Sequence, residues 1–406
     1  MRTCSVLLLL ATAARLGAGE SLTLDAAVSQ ARTSHPLLAA ASGRIAAAES
    51  GIVQARLRPN PRLFVQTENW RNWSTAQLST ADQIDTFAYV SQVIETSGKR
   101  SRRTALAQTA ARRSELEREL LDRQIVARVK QAYWAAAGAA RIHQAAVENL
   151  ANFRQIIEYH EKRVREGALA EADLLKVQLE GERLRLAANT AALDAERAAI
   201  ELGRAMGRTE FPTALVFDAI DPPESPPVAD LPRALSERTE LKLALQAREE
   251  ATANLALQRS LAKSDVDVLF GYKQTLGLPT VMGGVQYNLP ISNRNQGAIG
   301  SAEAGIRIAD SDIAAAKAII QAELKGASAN VQTRRAQVFE SLPKLRAQSR
   351  ESAAIAQAAY REGGVDLLRL LDAERVRIET ETLYYQIVTE YRQSIAALET
   401  AMGASR

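Results

Sequence analysis

The chain is poor in the residues that disulfide-held domains, metal centres and membrane-crossing helices require. Among its 406 residues there is one cysteine, Cys4, there are three histidines, His35, His143 and His160, and aromatics make up only 5%. Cys4 precedes the apolar part of an N-terminal segment with the layout of a secretory signal over residues 1–18. Arg2 gives a charged start, Val6–Ala14 an apolar core too short to span a bilayer, and Leu16-Gly17-Ala18 a plausible cleavage site. Loss of that segment would leave a mature chain without cysteine, so neither a disulfide nor a lipid anchor on an N-terminal cysteine is expected. No later stretch approaches the length of apolar run that a transmembrane helix needs. The net charge of +4 with 24% charged residues does not imply nucleic acid, and the basic run Lys99–Arg103 is short and isolated. An exported chain of this kind is periplasmic, secreted, or inserted in an outer membrane through strands.

No catalytic constellation is present. The histidines share no metal-ligand spacing, the glycine pairs lack the strand–loop–helix setting of a phosphate loop, and the lone carboxylates read as solvated or lumen-lining. Neither a cofactor nor a resident metal is expected, and the chain does not read as an enzyme.

What is present is a duplication. Shifted by 196 residues, Arg165-Glu166-Gly167 falls on Arg361-Glu362-Gly363, Leu174-Leu175 on Leu370-Leu371, and Ala205-Met206-Gly207 on Ala401-Met402-Gly403. Nine of these 43 ungapped positions are identical. Further upstream the best shift is 204, which sets Leu57 on Leu261; the eight-residue difference falls in the polar loop between Trp70 and Asp85. The organisation expected is a first repeat over 19–207, a proline-rich linker over 208–232 and a second repeat over 233–406.

Each repeat reads in the same order. A helix to about Leu57 stops at Pro59-Asn60-Pro61, strands follow near 63–70 and 86–95, and a very long helix runs from about Lys99 to Arg165. Along it Ile125, Val129, Ala132, Ala136, Ala139, His143, Ala146, Leu150, Phe153, Ile157, His160 and Val164 step by four and three, a heptad seam in which a packed or partner-bonded histidine is the default. At 1.5 Å per residue such a helix is about 100 Å long. Gly167 ends it, and a return helix closes at Gly207. The second repeat gives a helix over about 235–262, strands near 266–274 and 281–289 around a Gly277-Leu278-Pro279 turn, and a long hairpin over 298–403 that Pro343 should kink.

The strands point to a compartment. Val266, Val268, Phe270 and Tyr272 alternate with Asp267, Gly271 and Lys273; Val281, Val285 and Tyr287 alternate with Met282, Gly284 and Gln286. In the first pair, Phe64 and Trp70 bracket Gln66 and Glu68 on one face, and Phe87, Tyr89 and Val93 share a face of the next strand. Strands that are apolar on one side match outer-membrane barrels, and lipid-exposed strands must close. Four strands per chain cannot close alone, so the barrel is shared between chains; the bland alternative is two hairpins packed on helices in the periplasm.

With these pieces in order the chain resembles the TolC-like outer-membrane factor family over its whole mature length. The resemblance is carried by Leu24-Asp25-Ala26-Ala27-Val28, by Pro59-Asn60-Pro61, and by two tips, Arg163-Val164-Arg165-Glu166-Gly167 with Asp173-Leu174-Leu175, and Tyr360-Arg361-Glu362-Gly363 with Leu370-Leu371-Asp372-Ala373-Glu374-Arg375. Ser97-Gly98-Lys99-Arg100, Leu289-Pro290-Ile291, Arg294-Asn295-Gln296-Gly297 and Leu342-Pro343 look most like the cobalt–zinc–cadmium efflux outer-membrane proteins. The resemblance implies a mainly α fold with a small β part. Tandem-duplicated helical hairpins of a homotrimer would form an α-barrel across the periplasm, and four strands per chain would contribute to a shared 12-stranded β-barrel in the outer membrane of a Gram-negative bacterium.

The function implied is the exit duct of a tripartite efflux system of the resistance–nodulation–division type, exporting heavy-metal cations with a periplasmic adaptor and an inner-membrane pump. Ducts for organic compounds or type I protein secretion are alternatives within transport; a periplasmic coiled-coil adaptor is the alternative of another class. The resemblance also implies that Asp372 rings the periplasmic aperture, with Arg369 standing where a second acid often sits. It implies further that Arg165, Glu166, Gly167, Arg361, Glu362 and Gly363 form the adaptor-docking tips.

Overall fold

The computed structural model describes residues 20–69, 84–209, 215–275 and 277–403. The signal segment, Trp70 with most of the polar loop between it and Asp85, and Pro212 of the linker lie outside the described residues. Among the described residues no helix is long and apolar enough to cross a membrane. The chain divides into two compact units: Met1–Pro36 with Asp122–Ala234 and Glu323–Arg406, and Leu37–Leu121 with Leu235–Ala322. Each repeat contributes to both units.

The second of these units holds a four-stranded antiparallel sheet in the order β2 (Arg62–Glu68), β3 (Asp85–Ile94), β5 (Val266–Thr275), β6 (Leu278–Tyr287). The register sets Leu63 opposite Val90, Val90 opposite Phe270, and Val268 opposite Val285. One face therefore collects Leu63, Val65, Val90, Phe270, Val281 and Val285, all exposed; Phe270 and Val285 keep 67% and 69% of their surface. The other carries Arg62 paired with Asp267 at 2.9 Å, and Lys273 over the ring of Phe87. Phe64 and Tyr89 stack on this polar face, ring centroids 4.7 Å apart. Thr275 pairs with Leu278, so Leu278 and Pro279 belong to the strand and not to the turn expected there.

At the sheet's helical end the Ser97-Gly98 bend hands β3 to α3 (Lys99–Arg165). The buried Lys99 pairs with Asp265 at 2.8 Å, and the same carboxylate accepts the Thr96 N–H. Arg103 donates to the carbonyls of Ala55 and Leu57 and to Glu95, tying the end of α2 (Pro36–Arg56) to the strand. The helix expected over 235–262 is two helices, α5 (Leu231–Glu237) and α6 (Thr239–Leu261). Arg238 between them is extended and forks onto Glu240 at 2.8 and 2.9 Å. The first repeat breaks at the corresponding place, where His35-Pro36 separates α1 (Leu24–Ser34) from α2; the second does so without a proline.

The other unit is built on the long hairpins. α3 returns as α4 (Glu171–Ala205); α7 (Gln296–Ala336) passes through a π-turn, Gln337–Ser341, into α8 (Leu342–Arg361), which returns as α9 (Leu367–Ala401). Pro343 has no N–H for an α-helical bond, and Leu342 N–H bonds to the Gln337 carbonyl five residues back, so the expected kink takes the form of a π-turn. All twelve seam positions of α3 are buried or half-buried.

The linker is held in place rather than free. Its strand β4 (Leu215–Phe217) pairs in parallel with β1 (Glu20–Leu22), a pairing the sequence did not announce. The Tyr133 hydroxyl lies 3.0 Å from both the Leu22 carbonyl and Asp218 Oδ2 and accepts the Asp218 N–H. Burial, with Asp218 beside it, pushes this phenol up to about 12. Further along, Tyr391 donates to the Pro223 carbonyl and Arg335 to that of Glu224.

Candidate functional site

The hairpin tips are set by helix-ending rules. At the end of α3, Gly167 takes φ +71; its N–H bonds to the Val164 carbonyl, and the next N–H, that of Ala168, reaches back to Arg163. At the end of α8, Gly363 takes φ +78 with the same pair of bonds, to Tyr360 and from Gly364 to Ala359. This left-handed cap satisfies the last carbonyls and favours glycine for its backbone. A side chain at either glycine would point into open space. Arg165, Glu166, Gly167, Arg361, Glu362 and Gly363 are all exposed.

The descending helices start differently. Asp366 caps α9, its Oδ1 accepting the Arg369 N–H at 3.0 Å, whereas Ala170 before α4 gives no side-chain cap. Asp372 and Arg369 are both exposed, and within this chain no ion pair joins them among the described residues. They border a groove of about 540 Å³ between α8 and α9 that also includes Ile355, Ala359 and Val376.

Behind the tips, the repeated leucine pairs have different fates. Leu370 and Leu371 enter a core with Phe153, Val177 and Leu367, while Leu175 of the first pair remains exposed. His160 is 1% exposed and lies 2.9 Å from the Tyr360 hydroxyl, so it is a partner-bonded seam histidine. Burial depresses the pKa of His35, with Arg128 adding to the effect. Among the described residues no three of His, Cys, Asp and Glu converge as metal ligands.

Three side-chain roles escaped the sequence reading. Asp366 is one; its place before an apolar run and three residues ahead of Arg369 is a cap signal that could have been read. Tyr360 and the Glu381 cluster, which receives Arg346 and Arg350, involve partners on other helices and leave no local signature.

Residues 27–208 match the outer membrane efflux protein family. The chain is 27% identical to the cobalt-zinc-cadmium resistance protein CzcC of Cupriavidus metallidurans, covering 94% of this chain and 90% of that one. Its fold is that of CusC, with a TM-score of 0.78 at 18% identity over 94% of this chain and 92% of that one. The CmeC outer membrane channel of Campylobacter jejuni gives a TM-score of 0.78 at 16% identity over 94% and 86%. A four-stranded sheet with an exposed apolar face, two long helical hairpins, and these likenesses together make the chain similar to the outer membrane efflux proteins.

Proposed function

We propose that the protein is the outer-membrane exit duct of a tripartite efflux system, working as a homotrimer and carrying heavy-metal cations. The observation that supports this reading best is the sheet. It has one apolar, exposed face, one polar face, and two edge strands, β2 and β6. Apolar strands in lipid leave no edge unpaired, so three copies side by side would close twelve strands into one barrel. The polar face, with Arg62, Asp267 and Lys273, would line the lumen. The long hairpins would extend into the periplasm and present their glycine tips to an adaptor, while an inner-membrane pump supplies the energy.

The cation reading is supported by the likeness to CzcC, whose name describes cobalt, zinc and cadmium resistance. Asp372 is the carboxylate we assign to the aperture, where three copies would favour cations by their field. The test joins mass measurement of detergent-extracted protein with metal tolerance of cells that lack the chromosomal copy. A trimer whose loss sensitises cells to zinc, cobalt or cadmium is expected. A monomeric periplasmic species would end the duct reading; a trimer that protects only against organic compounds would end the metal reading.

A further inference from the structure

We propose that a collar of unpaired cations, where the sheet meets its helices, binds the headgroups of anionic phospholipids; this rests on the exit-duct reading, which puts the apolar face in the membrane and this end toward the periplasm. Four segments enter or leave the sheet there: residues 56–62 into β2, 95–103 after β3, 262–267 into β5 and 287–297 after β6. Together they carry nine cations and three acids. Each acid is already held, Glu95 by Arg103 at 2.6 Å, Asp265 by Lys99 at 2.8 Å and Asp267 by Arg62 at 2.9 Å. Arg56, Arg58, Arg100, Arg102, Lys263 and Arg294 are left over. All six are exposed, and among the described residues none of their side chains has an ion pair or hydrogen bond. The far end of the sheet has no such excess: its described charges are Glu68, Asp85 and Lys273.

Surplus charge alone would suit water as well as lipid; its place under the apolar face is what favours lipid. The register sets Val266 opposite both Ile94 and Tyr287, so these three form the last rung of that face. Ile94, Tyr287, Leu289, Ile291 and Leu57 are all exposed. Apolar and aromatic side chains giving way at once to cations are the signature of a membrane–water boundary, where long basic side chains reach out of the apolar layer. A cleft of about 510 Å³ opens at this level between the segment entering β2 and the β3–α3 bend. Arg58 and Arg100 line it together with Gln92 and Ile94, which share the face of Val90. Gln92 donates to the Pro59 carbonyl at 3.0 Å, fixing the entering segment against the end of the strand. Glu95 and Lys99 also line the cleft, but each is already paired, so the charge offered to a ligand is that of two guanidiniums. A phosphodiester accepts well from guanidinium, and an acyl chain attached to it can run up the face from Ile94 toward Val90. On the other side, Asn295 donates to the Gln258 carbonyl at 2.8 Å and Thr96 to that of Ser264 at 2.6 Å, holding Arg294 and Lys263 to the same rim. Clustered cations beside an apolar surface attract anionic lipid, whereas a zwitterionic headgroup brings its own cation and gains less.

The test counts lipids by native mass spectrometry on the full chain purified in detergent. Dioleoylphosphatidylglycerol and dioleoylphosphatidylcholine are offered together in equal amounts. The wild type should retain the phosphatidylglycerol several-fold over the phosphatidylcholine. That preference should shrink when the wash before measurement is raised from about 0.01 M to about 1 M salt, which shortens the screening length from about 30 to about 3 Å. Arg58→Gln with Arg100→Gln should lower the preference several-fold. Lys317→Gln with Lys325→Gln, which removes two exposed lysines further along α7, should leave it unchanged. If the first pair does not assemble, Lys263→Gln with Arg294→Gln decides in its place. Equal retention of the two lipids by the wild type, a preference that survives loss of the collar cations, or displacement of phosphatidylglycerol by an equal concentration of glycerol phosphate overturns the collar and leaves the duct standing. Retention of neither lipid overturns the collar and counts against the duct as well, because the apolar face would then not be a lipid surface.

Discussion

Arg346 on α8 grips Glu381 on α9 through two parallel contacts, Nε to Oε2 at 3.0 Å and Nη2 to Oε1 at 2.5 Å. Arg350 adds contacts at 3.1 and 3.2 Å, and the Arg346 guanidinium also covers the Tyr384 ring at 4.3 Å. Burial alone would push the Glu381 carboxyl up, but the bonds and charges of the two arginines outweigh it and hold it below the usual carboxylate range. The folded carboxylate thus ionises more readily than the unfolded one. Its stabilisation is complete above the unfolded value of about 4.3 and is lost as pH falls through the lower folded value. Glu381→Gln should cost about 2 kcal/mol at neutral pH, the scale of hydrogen bonds to charged groups. Thermal unfolding should show the gap to wild type narrowing in strong acid; a gap independent of pH would mean that packing alone is at stake.

The sheet makes a claim about sidedness. Val285 and Gln286 are neighbours on β6 and face opposite ways. Arginine on the lipid side of a barrel costs about 2–4 kcal/mol near the bilayer midplane, while the lumen side tolerates it. Val285→Arg should reduce the amount of assembled protein in outer-membrane fractions several-fold, and Gln286→Arg should not. Equal losses in both would reverse or abolish the assignment of faces.

The tip glycines can be tested against their own null effect. A β-branched residue in the left-handed region is strained, by about 1–2 kcal/mol. Gly167→Val and Gly363→Val should therefore disturb the turns while leaving the helices and the assembly intact. Crosslinking to the adaptor should fall in both variants, and export with it. Retention of full crosslinking and export would remove the tips from the docking surface.

Asp372 and Arg369 are exposed and are not paired with each other within one chain, so any link between them must join different copies. Asp372→Ala should lower cation preference in planar bilayers, and Arg369→Glu should raise it and open the entrance by repulsion. The contrast should be larger at 0.01 M salt than at 0.1 M, where the screening lengths are about 30 and about 10 Å. Unchanged selectivity in both variants places the aperture elsewhere.

Repetition and periodicity were the legible part of this fold. The twelve-position seam of α3 could be read because a heptad is local, and its positions are buried or half-buried in the structure. The strands were legible to within a few residues for the same reason. The face of Phe64 and Tyr89 was harder, because aromatic residues suggest lipid while the register with Gly271 and Asp267 puts them on the polar side. Arg238 was missed because the break depends on a fork onto Glu240, not on a proline. The parallel pairing of β1 with β4 joins segments some two hundred residues apart and left no local trace. At the tips, glycines were visible and Asp366 was overlooked; Tyr360 and Glu381 acquire their roles only from other helices.

The π-turn has a consequence for angle as well as for hydrogen bonding. Before it, the buried column of the second long helix runs Leu324, Val331, Val338. Seven-residue steps would continue to Leu345, Ser352 and Ala359, yet Leu345 and Ser352 are exposed. The column resumes one place later, at Arg346, Ala353 and Tyr360. One residue is about 100° of helix rotation, and the wider turn takes up the extra residue, so the buried column carries on to the tip with its numbering offset by one. Deleting one residue from Gln337–Ser341 would turn the eight-residue step into a seven-residue one, so an unbroken α-helix should keep both Arg346 and Tyr360 on the buried side, facing Glu381 and His160. The first repeat, whose seam keeps one phase from Ile125 to Val164, has no such offset, and the two copies of an ancestral hairpin differ in this clockwork more than in their length.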